Sequence, residues 1–187
     1  MKIGFVIYAG MSTLDFAGVY EPLTCLKTME FVPALEWDFC GREEKVTDHT
    51  GLTLCATAVG KSFGAYDLMV VPGGSTARKL AKELSFVEWL KTAASCPLKV
   101  SVSSGALLLG AAGFLKGKKA TTHAASMDEL SAYCSEVLDK RIVDEGDVIT
   151  CGGAASSIDL GLYLCGKLAG LSVKETIRHR MDYHASW

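Results

Sequence analysis

Residues 99–123 read KVSVSSGALLLGAAGFLKGKKATTH, and this stretch decides the fold. The β-branched residues Val100 and Val102 indicate a short strand, and the Ala/Leu-rich run after Gly105 indicates a helix that begins at once. A strand that turns directly into a helix holds the side chain at the turn over backbone N–H groups that have no partner within the helix. Ser103 stands at this turn and is therefore the first candidate for a functional residue.

The type of residue at position 103 limits the chemistry of the turn. A cysteine there would lose its proton readily, because a helix N-terminus lowers a thiol pKa from about 8.5 to roughly 3.5–7.5. A serine hydroxyl is a weaker nucleophile and needs a general base, usually a histidine held by an acid. Serine is also a favoured N-cap residue, so the local pattern favours Ser103 and Ser104 as caps of the helix.

The composition bounds the class of protein. With 187 residues, of which 49% are hydrophobic, the chain is long enough for one well-buried domain, which we place at residues 1–187. The net charge of −2 comes from interspersed acids and bases, so we expect no nucleic-acid partner and no membrane partner. The first apolar run is too short for a signal peptide, and no run is long enough to span a bilayer. We therefore expect a cytoplasmic protein.

The seven cysteines are scattered and odd in number. They form no C-x-x-C pair and no cysteine–histidine cluster with zinc spacing, so we expect no metal site. Most of them lie in apolar surroundings, where cysteine behaves as a small buried hydrophobe. This usage indicates a reducing compartment rather than a disulfide framework, and we expect no cofactor.

Strand and helix signals alternate along the chain. Continuous apolar runs bounded by glycine or proline indicate strands buried on both faces, and capped periodic runs indicate helices. The predicted strands are 2–8, 37–40, 67–71, 98–102, 141–144 and 148–151, with a hairpin over 45–59 that bends at Gly51. The predicted helices are one capped by Ser12 or Thr13 that runs to Leu26, then 76–80, 86–94, 156–168 and 173–181. This alternation predicts an α/β sandwich with a parallel sheet.

Three of the predicted strands end in residues that suggest a site. Asp15 follows the first strand, Gly73-Gly74 follows the strand over 67–71, and Ser103 follows the strand over 98–102. Ligands bind outside the carboxyl ends of parallel strands, so these residues converge if the strands are neighbours. Each has an ordinary alternative: Asp15 as a first-turn acid favoured by the helix dipole, the glycines as a turn, and His123 as a surface or interface residue.

Four segments together resemble the ThiJ/PfpI superfamily, also known as the DJ-1 superfamily. They are TLDFAGVYEPL (13–23), YDLMVVPGGSTARKL (66–80), VSSGALLLGAAGFLKGKKATTH (102–123) and ITCGGAASSIDLGLYLCGKLAG (149–170). The start of the first segment is most similar to the isonitrile hydratase branch, which also includes ligand-sensing domains of transcription regulators. The resemblance implies a flavodoxin-like three-layer sandwich with a mostly parallel central sheet, of the class I glutamine amidotransferase type.

The resemblance also implies a small-molecule substrate, a homodimer and a site made of a reactive cysteine beside a carboxylic acid. It places the cysteine at Ser103 and the acid at Asp15. The glycine pair Gly73-Gly74 and Ser104 would form an oxyanion-type pocket, with the backbone N–H groups of Gly74 and Ser104 as its donors. His123 lies where the family commonly has a histidine near the site or the dimer interface.

The chain departs from the family pattern at Ser103, which stands where the nucleophilic cysteine is expected. The segment lacks the first glycine of G-x-S-x-G, and no motif offers a histidine–acid relay for a serine nucleophile. We interpret Ser103 as a substitution, engineered or natural, that silences an enzyme converting an isonitrile to an N-substituted formamide. The alternatives are a glyoxalase- or deglycase-like enzyme that acts on 2-oxoaldehydes, and a redox- or ligand-sensing dimer without turnover.

Overall fold

A seven-stranded sheet forms the centre of the molecule, and its strands arise from the apolar runs of the sequence. The structure is a computed structural model that describes residues 1–184, so the last three residues of the predicted 1–187 domain lie outside the described part. The strands are β1 (Lys2–Val6), β2 (Glu36–Gly41), β3 (Lys45–Thr47), β4 (Thr53–Cys55), β5 (Ala58–Val59), β6 (Leu68–Val71), β7 (Leu98–Val102), β8 (Lys119–Ala120), β9 (Glu136–Val137), β10 (Ile142–Asp144) and β11 (Val148–Cys151).

The order of strands in the central sheet is β10-β11-β7-β6-β1-β2-β5. Neighbouring strands are parallel except for the β10–β11 pair, which is antiparallel. Every residue of β6, β7 and β11 is buried, as expected for strands covered on both faces. The prediction of a flavodoxin-like, mostly parallel sheet is confirmed. Because β1, β6 and β7 are adjacent, their carboxyl ends lie side by side, and so do the residues that follow them.

Helices form a layer on each side of the sheet. They are α1 (Thr13–Thr28), α2 (Ala77–Leu80), α3 (Leu84–Lys91), α4 (Gly105–Ala111), α5 (Met127–Leu130), α6 (Ser156–Ala169) and α7 (Leu171–Arg180). Helices α1, α6 and α7 contact one another, whereas α4 contacts α2, α3 and α5. Within residues 1–184, no helix is long and apolar enough to cross a membrane.

The predicted hairpin over 45–59 is wrong in its second half. Strands β3 and β4 form an antiparallel pair, and Gly51 takes a positive φ of 103° at the bend, as the sequence indicates. The hairpin ends at Cys55, however, and β5 belongs to the central sheet, where it runs parallel to β2. Ala58 is buried there, so a short apolar pair extends the sheet edge instead of the hairpin.

Two glycines bring α1 and α6 into close contact. A Cβ atom built on Gly18 of α1 would lie 1.9 Å from the Oγ atom of Ser157. A Cβ atom on Gly161 of α6 would lie 2.7 Å from Cγ of Pro22 and 2.9 Å from the backbone oxygen of Gly18. The helices therefore approach backbone to backbone, and this contact fixes the start of α6 next to the start of α1.

Candidate active site

The turn between β7 and α4 is strained at Ser103, which has a φ of 55°. A non-glycine residue in this left-handed region costs about 1–3 kcal/mol and persists only where the surroundings enforce it. Here the Ser103 N–H donates to the carbonyl oxygens of Cys151 and Gly152, at 2.9 and 2.8 Å. The hydroxyl of Thr122 donates to the Ser103 carbonyl at 2.7 Å. With the bond from the Ala106 N–H to the same carbonyl at 3.2 Å, four hydrogen bonds hold the Ser103 backbone in a conformation that presents its side chain at the strand end.

The prediction that the serines cap α4 through their side chains is wrong. Ser104 occupies the N-cap position, but its hydroxyl makes no capping hydrogen bond. Its φ and ψ of −64° and −4° are helical, whereas a capping serine normally has an extended backbone. The Ser104 hydroxyl instead accepts from the Gly74 N–H at 3.1 Å and donates to the Gly74 carbonyl at 3.3 Å. Ser104 therefore ties the turn after β7 to the turn after β6.

Asp15 lies in the first turn of α1, with 1% of its surface exposed. Its Oδ1 accepts from the Ser12 hydroxyl at 3.0 Å, and its Oδ2 accepts from the Gly73 N–H at 3.0 Å. Burial raises the pKa of this carboxyl, and the hydrogen bonds from Ser12 and Gly73 and the charges of His123 and His49 oppose the shift only in part. Asp15 is thus more than a first-turn acid, because its carboxyl is fixed by a neighbouring strand end and holds its proton more tightly than an exposed carboxyl.

Gly73 is the point at which the other site residues meet. A Cβ atom built on it would lie 2.7 Å from Asp15 Oδ2, 2.9 Å from Ser103 Cβ and 2.9 Å from the Ser104 nitrogen. These three groups therefore surround one position that only a glycine can occupy without displacing them. The predicted convergence of the three strand ends is present in the structure.

Within residues 1–184, only one of the two predicted oxyanion donors is free. The Gly74 N–H donates to the Ser104 hydroxyl, and the Gly73 N–H donates to Asp15. The Ser104 N–H has no hydrogen-bond partner in this described part of the chain. The turn thus offers the Ser104 N–H to a ligand. A rotation of the Ser104 side chain would also release the Gly74 N–H.

A cavity of about 490 Å³ opens over these residues. Five of the predicted site residues line it, and Gly73 adjoins it through its bond to Asp15. The lining residues are Ser12, Asp15, His49, Gly74, Ser75, Arg78, Ser103, Ser104, His123, Ala125, Ser126, Gly153, Ala154, Ala155 and Ser156.

His49 and His123 line the cavity with opposite hydrogen-bonding roles. Nδ1 of His49 lies 3.0 Å from the Met11 carbonyl, which can only accept, so this nitrogen donates and, in the neutral ring, Nε2 carries the lone pair. Nδ1 of His123 accepts from the Ala125 N–H at 3.2 Å, so in the neutral ring Nε2 carries the hydrogen. The nitrogens left for a ligand are therefore an acceptor on His49 and a donor on His123.

His49 is a cavity residue that no pattern in the sequence predicted. It lies in the β3–β4 turn, where Asp48 accepts from the N–H groups of Thr50 and Leu52 at 2.7 and 2.9 Å. Asp48 also accepts from the Thr13 hydroxyl at 2.5 Å, and this bond, with the others, holds the pKa of its carboxyl well below the usual range. The D-H-T-G pattern signals a turn, but nothing local signals that the turn docks on the start of α1.

Cys151, a cysteine whose strand ends beside the turn, does not carry a readily ionised thiol. Cys151 is fully buried at the end of β11, and its thiol donates to the Ser156 carbonyl at 3.3 Å. Burial raises the pKa of this thiol to about 12. Within residues 1–184, no histidine or carboxylate is hydrogen-bonded to the Ser103 hydroxyl. The turn thus presents a hydroxyl for which the described residues provide no base.

Comparisons with known proteins agree on one family. The model of the DJ-1/PfpI family matches residues 1–166. The isonitrile hydratase of Pseudomonas putida is 32% identical over 184 residues, which are 98% of this chain and 78% of that protein. Protein DJ-1alpha of Drosophila melanogaster is 26% identical over 180 residues, which are 94% of this chain and 74% of that protein. A ThiJ/PfpI family protein from Pseudomonas syringae has a TM-score of 0.88 at 25% identity, with 100% of this chain and 76% of that chain covered.

Proposed function

This chain belongs to the DJ-1/PfpI family, and from that membership we propose that its cavity is the site of an isonitrile hydratase-like enzyme with Ser103 at the nucleophile position. The observation that carries the proposal is the strained turn at Ser103 beside a buried carboxyl whose pKa is raised. The test is the conversion of an isonitrile to its formamide by the Ser103→Cys variant.

The proposed reaction uses a cysteine at position 103 and Asp15. The thiolate attacks the carbon of R–NC while that carbon takes the proton of Asp15, which gives a thioimidate, R–N=CH–S–Cys. Water adds to the thioimidate carbon, and Asp15 passes a water proton to the nitrogen. The adduct then expels the thiolate as Asp15 takes the hydroxyl proton, which leaves R–NH–CHO and restores both groups. The overall reaction consumes one isonitrile and one water and yields one formamide.

The position of Asp15 suits this proton transfer. A general acid must hold its proton at the working pH, and burial is the usual way to raise a carboxyl pKa toward that range. The two hydrogen bonds from Ser12 and Gly73 occupy one lone pair on each oxygen and fix the orientation of the carboxyl. Burial therefore favours the protonated form of Asp15, the form that can donate to a carbon in the cavity.

With serine at position 103, we infer that the chain binds its ligand without turnover. The hydroxyl at the turn lacks a base within residues 1–184, and an unactivated serine is a weak nucleophile. A ligand-binding protein is therefore the second candidate function, favoured by the same unactivated hydroxyl. Ser103 also has no sulfur to oxidise, which argues against redox sensing at this position.

Replacement of Asp15 by asparagine should remove proton donation but keep the fold. The side-chain oxygen of the introduced asparagine can accept from the Gly73 N–H, and its NH₂ group can donate to the Ser12 hydroxyl, so both bonds have a replacement. In a Ser103→Cys background, we expect the hydration rate to fall by about 10²–10⁴-fold, the usual contribution of a general acid. Timed assays of formamide formation measure this loss, and an unchanged rate would exclude Asp15 as the proton donor.

The Asp15→Asn variant also has a defined effect on stability. Because folding raises the Asp15 pKa, the native state holds this proton more tightly, and the protein loses stability as pH rises from the unfolded-state pKa to the folded-state pKa. The asparagine variant has no such proton, so its stability relative to the parent should increase across that interval and stay constant above it. Asp15→Ala is the control, because it leaves the Gly73 N–H without a partner and should cost about 1–3 kcal/mol. Urea unfolding at several pH values measures both.

We also propose a homodimer that acts on a small molecule, while the cytoplasmic location remains a prediction. Leu14 on α1 and Leu52 in the hairpin are 53% and 51% exposed, and the Thr13–Asp48 hydrogen bond joins their two segments. Exposed apolar side chains on linked segments are typical of an interface. Light scattering should give the mass of two chains, and Leu14→Asp should reduce it to one. Leu84→Asp, at an exposed leucine on α3, should leave the dimer intact, and a monomeric parent would contradict the proposal.

A further inference from the structure

One wall of the cavity consists of backbone N–H groups at the start of α6. Gly153, Ala154 and Ala155 line the cavity, and their N–H groups have no hydrogen-bond partner within residues 1–184. The next two N–H groups, of Ser156 and Ser157, are already bonded to the carbonyls of Gly153 and Ala154 at 2.9 and 3.0 Å. The dipole of α6, which is 14 residues long, adds partial positive charge at this end.

A side-chain hydroxyl on the same wall, that of Ser156, also lacks a partner within residues 1–184. Ser156 is 7% exposed and lines the cavity, and its Oγ makes no hydrogen bond within residues 1–184. The residue is enclosed by protein except where it faces the cavity, so a ligand atom in the cavity is the partner available to its hydroxyl. Ser156 thus adds a side-chain donor to the three backbone donors.

The charged and polar side chains around the cavity also favour an anion. Arg78 donates through Nε to Glu129 at 2.8 Å and through Nη2 to the Ala125 carbonyl and to Ser126. Its Nη1 has no partner within residues 1–184, and His123 adds an N–H donor through Nε2. Asp15 is the one acidic side chain of the described lining, and burial disfavours its charged form.

The lining offers little to an apolar ligand. Among the described residues, it contains no aromatic side chain other than the two histidines and no aliphatic side chain larger than alanine. Sites for apolar ligands are lined predominantly by hydrophobic and aromatic side chains. A bulky hydrocarbon substituent would therefore find almost no surface to pack against.

We propose that the ligand of this cavity is a small carboxylate, bound at the start of α6 by the N–H groups of 153–155, Ser156 and Arg78. The reactive group of the ligand rests on the proposed function, whereas the carboxylate follows from the cavity lining alone. Together, the proposed function and the carboxylate site specify an isonitrile that carries a carboxylate close to its isonitrile carbon. Isocyanoacetate is the smallest such compound, and hydration converts it to N-formylglycine.

Binding to the unmodified Ser103 chain tests the carboxylate without any turnover. In calorimetric titrations, N-formylglycine should bind at least about tenfold more tightly than its uncharged methyl ester, since hydrogen bonds to charged groups are the stronger ones. Arg78→Gln and Ser156→Ala should each reduce this preference severalfold. Arg42→Gln is the matched control, because Arg42 is also half-exposed and also pairs with a glutamate, Glu83, but does not line this cavity. Equal binding of acid and ester, or an acid preference that survives Arg78→Gln, would overturn the proposal.

Turnover by the Ser103→Cys variant separates this inference from the proposed function. With isocyanoacetate and its methyl ester as substrates, kcat/KM should favour the acid by about tenfold or more. Equal hydration of the acid and the ester would support the proposed hydratase activity and overturn the proposed carboxylate site. If neither compound were hydrated but N-formylglycine still bound preferentially, the proposed hydratase activity would be overturned and the proposed carboxylate site supported.

Discussion

Replacing Ser103 with cysteine should convert the chain into an active isonitrile hydratase. The turn already holds position 103 at a φ of 55°, with the free N–H of Ser104 beside it and the proton of Asp15 within the same cavity. A thiol at this helix start should have a pKa below the usual value of about 8.5. Loss of a nucleophile costs enzymes several orders of magnitude, so we expect formamide formation to rise on the order of 10³-fold or more.

Two measurements check the Ser103→Cys result. Formamide formation is followed by NMR, and the pH dependence of alkylation by iodoacetamide gives the pKa of the new thiol. Ser75→Cys is the control, because it places an exposed thiol in the same cavity but away from the strained turn. A reactive thiol at position 103 that hydrates no isonitrile would refute the assignment. Consumption of methylglyoxal by that variant would establish the glyoxalase-like alternative in its place.

Replacing Gly73 with alanine should disrupt the site and destabilise the fold. The added Cβ would lie within 3 Å of Asp15 Oδ2, Ser103 Cβ and the Ser104 nitrogen, all of which are fixed by hydrogen bonds or backbone. Overpacking of this kind costs about 1–3 kcal/mol. In the Ser103→Cys background the hydration rate should fall by on the order of 10²-fold, because small misplacements of reacting groups have effects of this size.

The matched control is Gly152→Ala, since a Cβ on Gly152 would meet its nearest neighbour, the Lys140 carbonyl, at 3.8 Å. This variant should unfold at the same urea concentration as the parent and retain hydration in the Ser103→Cys background. If Gly73→Ala behaved like Gly152→Ala in both assays, the three groups around Gly73 would not be held as rigidly as the structure indicates.

Much of the fold follows from local sequence patterns. The run over 67–71 is apolar after its first residue, and the run over 98–102 carries β-branched residues. These runs form β6 and β7, in which every residue is buried. Their glycine and serine ends indicated that a site lies where parallel strands end, and the adjacency of β1, β6 and β7 supplies the convergence of Asp15, Gly73 and Ser103. These features depend on hydrophobic periodicity and on a general rule for parallel sheets.

Other features depend on contacts between distant segments and had no local signal. Serine is a favoured N-cap residue, but the hydroxyl of Ser104 accepts a hydrogen bond from Gly74 at the end of β6 instead of capping α4. His49 enters the cavity only because the hairpin turn docks on Thr13, 35 residues earlier than Asp48. The partnerless N–H groups before α6, within the described part of the chain, result from the fixed placement of that helix, which the sequence of the loop does not reveal.

The contact between Gly18 and Ser157 sets the spacing between the two ends of the cavity. Gly18 lies about one turn along α1 from the proposed proton donor Asp15, and Ser157 follows Ser156, the proposed carboxylate donor, on α6. The distance between these two groups across the cavity therefore depends in part on a helix contact inside the core. We therefore expect a larger residue at position 18 to push α6 away from α1 and to alter substrate preference, even though Gly18 does not line the described cavity.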